Sequence, residues 1–332
     1  MTVGRSYART DPGRKRRGNE DAYVCRPPLF AIADGMGGAQ AGEVASALAA
    51  EALTDMQANG TGERRVAALI QEANRRVHER ASTDASTSGM GTTITVALVE
   101  DDGAVTFGHV GDSRAYLLRG GTLEQLTDDH SLVAELVRRG ELSPAEAEVH
   151  PQRSVITRAL GTDPDIDVDT FTFRAQPGDL FLICSDGLSD MLDHDVIESI
   201  LLAHRDDLEE ASKALVQGAN RAGGEDNISA VLFEIADDGR APAGEPDERT
   251  REYAPDFLDE DTLHPEDHVV PPPPAPAADD TMVVSAEAIR QATAVEEDGE
   301  PEATLARKAL ALAVIVALCA LIVVLVLWGL AR

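Results

Sequence analysis

Leu29-Phe30-Ala31-Ile32-Ala33-Asp34-Gly35-Met36-Gly37-Gly38 is the stretch whose reading decides the fold. An apolar, β-rich run stops at a carboxylate followed by glycines, as a buried strand does on reaching the edge of its sheet. The pattern recurs. Leu180-Phe181-Leu182-Ile183-Cys184 stops at Ser185-Asp186-Gly187, with Asp190 behind it, and Asp226-Asn227 precedes another apolar run. Asn19-Glu20-Asp21 and Gly111-Asp112-Ser113-Arg114 complete five clusters between residues 19 and 227. A lone Asp-Gly is a turn signal and no more. Five acidic clusters at strand termini are different, because such carboxylates converge on one edge. Two of them at about 4 Å repel by about 4 kcal/mol at an effective dielectric near 20. Hard divalent cations with oxygen ligands relieve that repulsion, and glycines let backbone approach an ion. The set reads as a dinuclear metal site.

Around these clusters the chain alternates between blocks of helix and blocks of strand. Helical spacing covers Gly42–Met56 and Glu63–Ser82, the second carrying Val66, Leu69, Ile70, Ala73 and Val77 on one face. Strands follow at Thr92–Val99, Val105–Val110 and Ala115–Arg119, with Asp101-Asp102-Gly103 and Gly120-Gly121 as turns. Two later helices, Asp195–Ala203 and Leu208–Ala222, precede a last strand over Ile228–Ile235. Runs of strands and runs of helices argue for an α+β fold with antiparallel sheets.

Arg16-Arg17-Gly18-Asn19-Glu20-Asp21, Ala33-Asp34-Gly35-Met36-Gly37-Gly38, Gly91-Thr92-Thr93, Val110-Gly111-Asp112-Ser113-Arg114, Cys184-Ser185-Asp186-Gly187-Leu188 and Glu225-Asp226-Asn227-Ile228 occur in that order. Together they resemble the ordered motifs of the metal-dependent protein phosphatases (PPM, type 2C), here in the form of a bacterial membrane-anchored Ser/Thr phosphatase. The resemblance implies a central antiparallel β-sandwich flanked by helices on both faces, with a catalytic domain over residues 1–236. It also implies a variable flap over 140–161, beside a metal cleft at one end of the sandwich.

Roles carry over by the same resemblance. Asp21 ligates metal directly and Glu20 through water; Asp34 bridges two ions; the Gly35 carbonyl, Asp186 and Asp226 complete the pair. Asp112 and Asp190, with Asp186, match a third, weaker position. The ions are Mn²⁺ or Mg²⁺, two of them tightly bound. Arg16 stands where the family holds phosphate, a job suited to a planar guanidinium, with Arg17 as the alternative in a run that includes Arg14 and Lys15. The implied reaction is hydrolysis of phosphoserine and phosphothreonine on proteins by a metal-activated water, with Arg16 and Asp34 as its catalytic residues. No Cys-x5-Arg nucleophile loop is present. One departure stands out: many members carry His after the Asp-Gly, whereas this chain has Met36, which cannot donate a proton. His109 and His130 lie near motifs but read first as packing residues, and His78 as a helix residue. The alternative from another class is a pseudophosphatase, a membrane-tethered binding module with the same fold; it predicts a missing metal carboxylate, and none is missing. No EF-hand spacing appears.

The 332 residues carry 59 acidic and 29 basic side chains, a formal charge of −30, which argues against nucleic-acid binding. Three scattered cysteines, Cys25, Cys184 and Cys319, indicate neither a disulfide frame nor zinc. The polar, basic start lacks a signal peptide's apolar core. Residues 237–306, with Pro271–Pro274 and acidic runs, read as a disordered tether whose r.m.s. reach is roughly 45 Å. Residues 309–330 are uncharged and, as a helix about 33 Å long, match a hydrocarbon core. Arg307-Lys308 before that run and Trp328 within it predict a single-pass C-terminal anchor in the cell membrane's lipid bilayer, with the catalytic domain cytoplasmic. The expected partners are phosphorylated proteins, including a membrane Ser/Thr kinase. Thr262 and Thr281, each with an acidic lead and an apolar follow-on, are candidate phosphosites for a phosphothreonine-binding partner.

Overall fold

The computed structural model describes residues 1–37, 41–55, 60–236 and 282–283. Gly38, Thr262, Thr281 and the segments 309–330 and most of 237–306 lie outside the described residues. Among the described residues no helix is long and apolar enough to cross a membrane.

In chain order the elements are β1 (Thr2–Asp11), β2 (Asp21–Arg26), β3 (Leu29–Met36), α1 (Ala41–Asp55), α2 (Gly62–Thr83), β4 (Gly91–Thr92), β5 (Ile94–Val99) and β6 (Ala104–Val110). There follow β7 (Arg114–Arg119), β8 (Thr122–Gln125), α3 (Leu132–Arg138), α4 (Pro144–Glu148), β9 (Val155–Ile156) and β10 (Asp169–Arg174). The last are β11 (Leu180–Cys184), α5 (Asp186–Ser189), α6 (His194–Ala203), α7 (Leu208–Ala222), β12 (Ile228–Ala236) and β13 (Met282–Val283).

Two antiparallel sheets face each other. One runs β1-β12-β11-β7-β8 and the other β10-β6-β5-β3-β2, with β4 beside β3. Because strand side chains alternate, each central strand serves two cores. On β12, Val231, Phe233 and Ile235 point between the sheets, while Ile228, Ala230 and Leu232 point outward to α6 and α7. On β3, Phe30 and Ile32 point inward, while Ala31 and Ala33 meet α1 and α2. The expected sandwich with helices on both outer faces is what the described residues form.

Local differences have physical causes. The strand expected over Thr92–Val99 breaks at Thr93, whose N–H donates to the Asp34 carbonyl at 2.8 Å. Its hydroxyl accepts from the Asp34 N–H at 3.2 Å. The strands β1 and β8 carry no apolar period to announce them, while the alternation of β10 around Phe171 and Phe173 and the helical spacing of Leu132, Val133, Leu136 and Val137 in α3 span too few residues to stand out. Within the flap, α4 starts at a capping box between Ser143 and Glu146, with Pro144 in its first turn.

Between the sheets, Phe233 stacks on Phe30 (centroids 4.2 Å apart) and on Phe181 (4.9 Å). Phe233→Ala removes the middle ring, and the expected loss is about 3–5 kcal/mol of unfolding free energy. Urea titration of the variant against the parent measures it.

Candidate metal centre

Sheet register brings the first two carboxylates together. Asp21 opens β2 and lies directly opposite Asp34 of β3. Asp34 does not end its strand, as the sequence suggested; β3 continues through Gly35 and Met36, which pair with Thr92 and Gly91. The remaining acids enter from the ends of other strands. Asp112 lies two residues after β6, Asp186 opens α5 just beyond β11, and Asp226 precedes β12. Asp190 closes α5, its N–H bonded to the Asp186 carbonyl at 2.7 Å. Gly187 lets α5 approach the far loop: a Cβ there would lie 2.2 Å from the Asn227 carbonyl oxygen.

Asp21 is the best-defined member. Its Oδ2 accepts hydrogen bonds from the Ser185 hydroxyl at 2.9 Å and the Ser229 hydroxyl at 2.5 Å, both buried. Its Oδ1 is buried with no hydrogen-bond partner, and so are Asp112 Oδ1 and Asp186 Oδ1. Buried polar atoms are nearly always satisfied, so three orphaned carboxylate oxygens at one end of a sandwich call for a cation. Gly35 adds a backbone oxygen where no side chain fits: a Cβ there would lie 2.1 Å from the Gly42 carbonyl and 2.6 Å from that of Glu20. Among the described residues no three His, Cys, Asp or Glu side chains are spaced to grip an ion as they stand. The ligand set closes only by side-chain adjustment. Its donors are all oxygen, which fits a hard dication.

The charges confirm the crowding. Burial, then Asp21, Asp186, Asp226 and Asp112, holds the Asp34 carboxyl well above its ordinary range. Burial and then Asp112, Asp190 and Asp226 do the same to Asp186. Burial pushes Asp21 up to about 6, against the two serine hydroxyls, and Asp112 to about 7. Glu20 also rises to about 7 through burial, although Arg16 opposes the shift. Each of these shifts favours the protonated carboxyl, and a bound dication would oppose them.

Arg16 reaches the cluster, donating to Asp226 Oδ2 at 2.7 Å, whereas Arg14, Lys15 and Arg17 are exposed. Met36 is buried and packs on Ile156 and Ala159, so the departure at this position fills the root of the flap. Neither histidine lines the cleft beside Asp112, Asp186 and Asp190. His109 and His130 are buried with ring centroids 4.7 Å apart. His130 Nδ1 accepts from the Gly111 N–H at 3.0 Å, and its Nε2–H meets Asp169 at 3.1 Å. Burial lowers His109 to about 4 and His130 to about 3. Both are neutral struts, and His78 likewise meets the Gly161 carbonyl at 3.0 Å.

Sequence reading missed the residues that aim the ligands. Ser229 interrupts the apolar run of β12 because it bonds Asp21, and Thr10 meets its hydroxyl at 2.8 Å. Asn227 clamps the loop of Glu20 by accepting from the Glu20 N–H at 2.7 Å and donating to the Pro12 and Gly18 carbonyls. A serine inside an otherwise apolar strand was the available signal.

These shifts predict how the metal-free fold responds to pH. Glu20, Asp21, Asp34, Asp112 and Asp186 have folded pKa values above their unfolded ones, so the stability tied to them is full below about pH 4 and lost as pH rises through the folded values. The lowered His109 and His130 act oppositely, but only below about pH 6.5. The buried thiols of Cys25 and Cys184, pushed up to about 11 and about 12, act in the same direction as the carboxylates, but only as pH nears about 8.5. In EDTA the melting temperature is expected to fall between about pH 6.5 and 7.5, where the carboxylates dominate, and Mn²⁺ to abolish that slope. Calorimetry at those two pH values checks both; a metal-free melting temperature that climbs with pH would contradict the crowding.

Comparison with known proteins agrees with this geometry. A family model described as protein phosphatase 2C matches residues 18–232. The serine/threonine phosphatase stp of Listeria welshimeri is 41% identical over 238 residues, covering 68% of this chain and 94% of that protein. The crystal structure of the Mycobacterium tuberculosis serine/threonine phosphatase PstP/Ppp matches with a TM-score of 0.67 at 38% identity, over 71% of this chain and 100% of that one. The catalytic domain of PstP in complex with two manganese ions matches with a TM-score of 0.65 at 35% identity, over the same shares. With the acidic clusters on one sandwich edge and the family model spanning them, the chain belongs to the protein phosphatase 2C family and is a protein phosphatase.

Proposed function

We propose that the chain hydrolyses phosphoserine and phosphothreonine on proteins, using two Mn²⁺ or Mg²⁺ ions, from the cytoplasmic face of a membrane. The relatives named as serine/threonine phosphatases support the substrate class, and the PstP structure with two manganese ions supports the metal. The observation that carries the metal reading is the set of buried, unpartnered oxygens on Asp21, Asp112 and Asp186. Asp21, Asp34, the Gly35 carbonyl, Asp186 and Asp226 would hold the pair of ions, with Glu20 acting through water. Asp112, Asp186 and Asp190 would hold a weaker third. Two such ions supply a water of lowered pKa and charge neutralisation for the attacking and leaving oxygens.

The chain's own groups do the rest. Arg16 can bind two phosphate oxygens through its planar fork, and its contact with Asp226 keeps that fork on the carboxylate cluster. Ser185 and Ser229 fix Asp21 so that Oδ1 stays turned away from protein donors. Cys184 is no rival nucleophile, since burial pushes its thiol up to about 12 and keeps it protonated. Tethering is part of the same proposal. The uncharged run 309–330 would anchor the enzyme, and 237–306 would let it search the inner leaflet, where confinement raises the concentration of membrane-bound substrates such as a Ser/Thr kinase. Phosphorylated Thr262 or Thr281 would then serve as a dock for a phosphothreonine-binding partner.

Phosphopeptide hydrolysis by the full chain in detergent, with and without Mn²⁺, is the direct test. Asp34→Ala and Asp226→Ala are expected to lower kcat by orders of magnitude with the circular-dichroism spectrum retained, and Arg16→Ala mainly to raise KM. Turnover that persists in excess EDTA would refute the metal reading. Deleting 309–332 is expected to release an active protein from the membrane fraction; equal solubility of the full chain on cell fractionation would refute the anchor.

A further inference from the structure

The flap rejoins the sandwich through β9, and both edges of that strand are in use. Ile156 forms an antiparallel bridge with Ser131, and the neighbouring Thr157 N–H donates to the His130 carbonyl at 2.8 Å. Residues far along the chain occupy the other edge. Met282 and Val283 pair in parallel with Val155 and Ile156. Since Ile156 takes part in one antiparallel and one parallel pairing, the two neighbours must lie on opposite sides of it.

This edge leads from the catalytic cleft. Arg153 and Ser154, immediately before β9, line a cleft of about 870 Å³ together with Asp112, Asp186 and Asp190. Ile156 packs on Met36, the residue after Gly35, so β9 is rooted beside the metal ligands. Arg153 is exposed and forms no ion pair among the described residues. An open strand edge accepts an extended peptide through its main chain.

We propose that the edge of β9 turned away from Ser131 is a docking strand for extended peptide, and that Met282–Val283 of the chain's own tail occupy it, competing with phosphoprotein substrates. The inference rests on the phosphatase reading. Met282 and Val283 lie level with Val155 and Ile156, directly beside the segment that leads from Arg153 and Ser154 at the mouth of the cleft. A ladder of two residues is weak, which makes the occupant displaceable. Tethering would compensate: read as a flexible coil from their composition, the 45 residues between Ala236 and Met282 would reach roughly 37 Å, enough to hold the segment near β9 at an effective concentration of order millimolar. A substrate must displace it to lie along β9, whereas a small aryl phosphate needs no strand edge.

The test uses the full chain with Mn²⁺ in detergent, compared with the double variant Met282→Pro, Val283→Pro, which removes whichever N–H of the pair faces β9 in the parallel ladder. Hydrogen exchange is expected to show protection of the Ile156 N–H in the parent and its loss in the variant, with the Thr157 N–H, held by the His130 carbonyl, unchanged in both. KM for an extended phosphopeptide is expected to fall about threefold or more in the variant, with kcat and the kinetics of p-nitrophenyl phosphate unchanged. A synthetic peptide of residues 279–285 should restore the higher KM competitively. Equal protection in both proteins overturns the dock. Lost protection with an unchanged phosphopeptide KM overturns the competition. Failure of both proteins to hydrolyse p-nitrophenyl phosphate sinks the phosphatase reading instead, and the exchange comparison still reports on the dock.

Discussion

The structure is organised around carboxylates forced together against their own repulsion. The β2–β3 ladder fixes Asp21 opposite Asp34, and no rearrangement short of breaking that ladder separates their backbones. At about 4 Å such a pair is opposed by about 4 kcal/mol at an effective dielectric near 20. Two hydroxyl donors on Asp21, each worth about 1.5–3 kcal/mol to a charged acceptor, offset much of that for a single ionised group. They do nothing for Asp34 and Asp186, whose carboxyls burial and the neighbouring carboxylates hold well above the ordinary range. Metal affinity and fold stability are therefore two readings of one crowding.

That crowding needs a stiff frame, because the acids come from both halves of the chain. Asp21 and Asp34 ride on one sheet; Asp186 and Asp226 lie beside strands of the other. The stacked rings of Phe30, Phe233 and Phe181 cross the gap between the sheets and fix their spacing. The Ser185 and Ser229 hydroxyls then stitch the far half directly to Asp21. Registration of these carboxylates is thus inherited first from core packing, with Asn227 fixing the loop that carries Glu20.

The sequence made the central strands legible because each feeds two apolar cores, and made the acids legible because each interrupts such a run. It failed where neither holds. β1 is an edge strand with Ala8 as its one buried residue, and its arginines hide the alternation. β10 is another edge strand with a polar outer face. In the site, Asp21 and Asp34 were readable as acids, but Ser229, Thr93 and Asn227 were not readable as their positioners. Their roles depend on contacts across tens to hundreds of residues, which no local period encodes. Met36 drew attention as a missing proton donor, yet its environment is the apolar contact with Ile156 and Ala159.

On the proposed reading, the Arg16–Asp226 pair would couple the substrate and metal sites. The pair is only partly buried, so solvent screens it and its own contribution to stability is small. Its value lies in geometry. While no phosphate is present, Asp226 holds the guanidinium over the cluster and spares it the entropy of a free side chain. A cation held by Asp226 would draw that carboxylate's charge to itself and loosen its hold on Arg16, just where an anionic phosphate would offer a replacement partner. Arg16 would then pass from a carboxylate to a phosphate oxygen without losing a partner, an exchange favoured when metal and phosphate are both at the cleft.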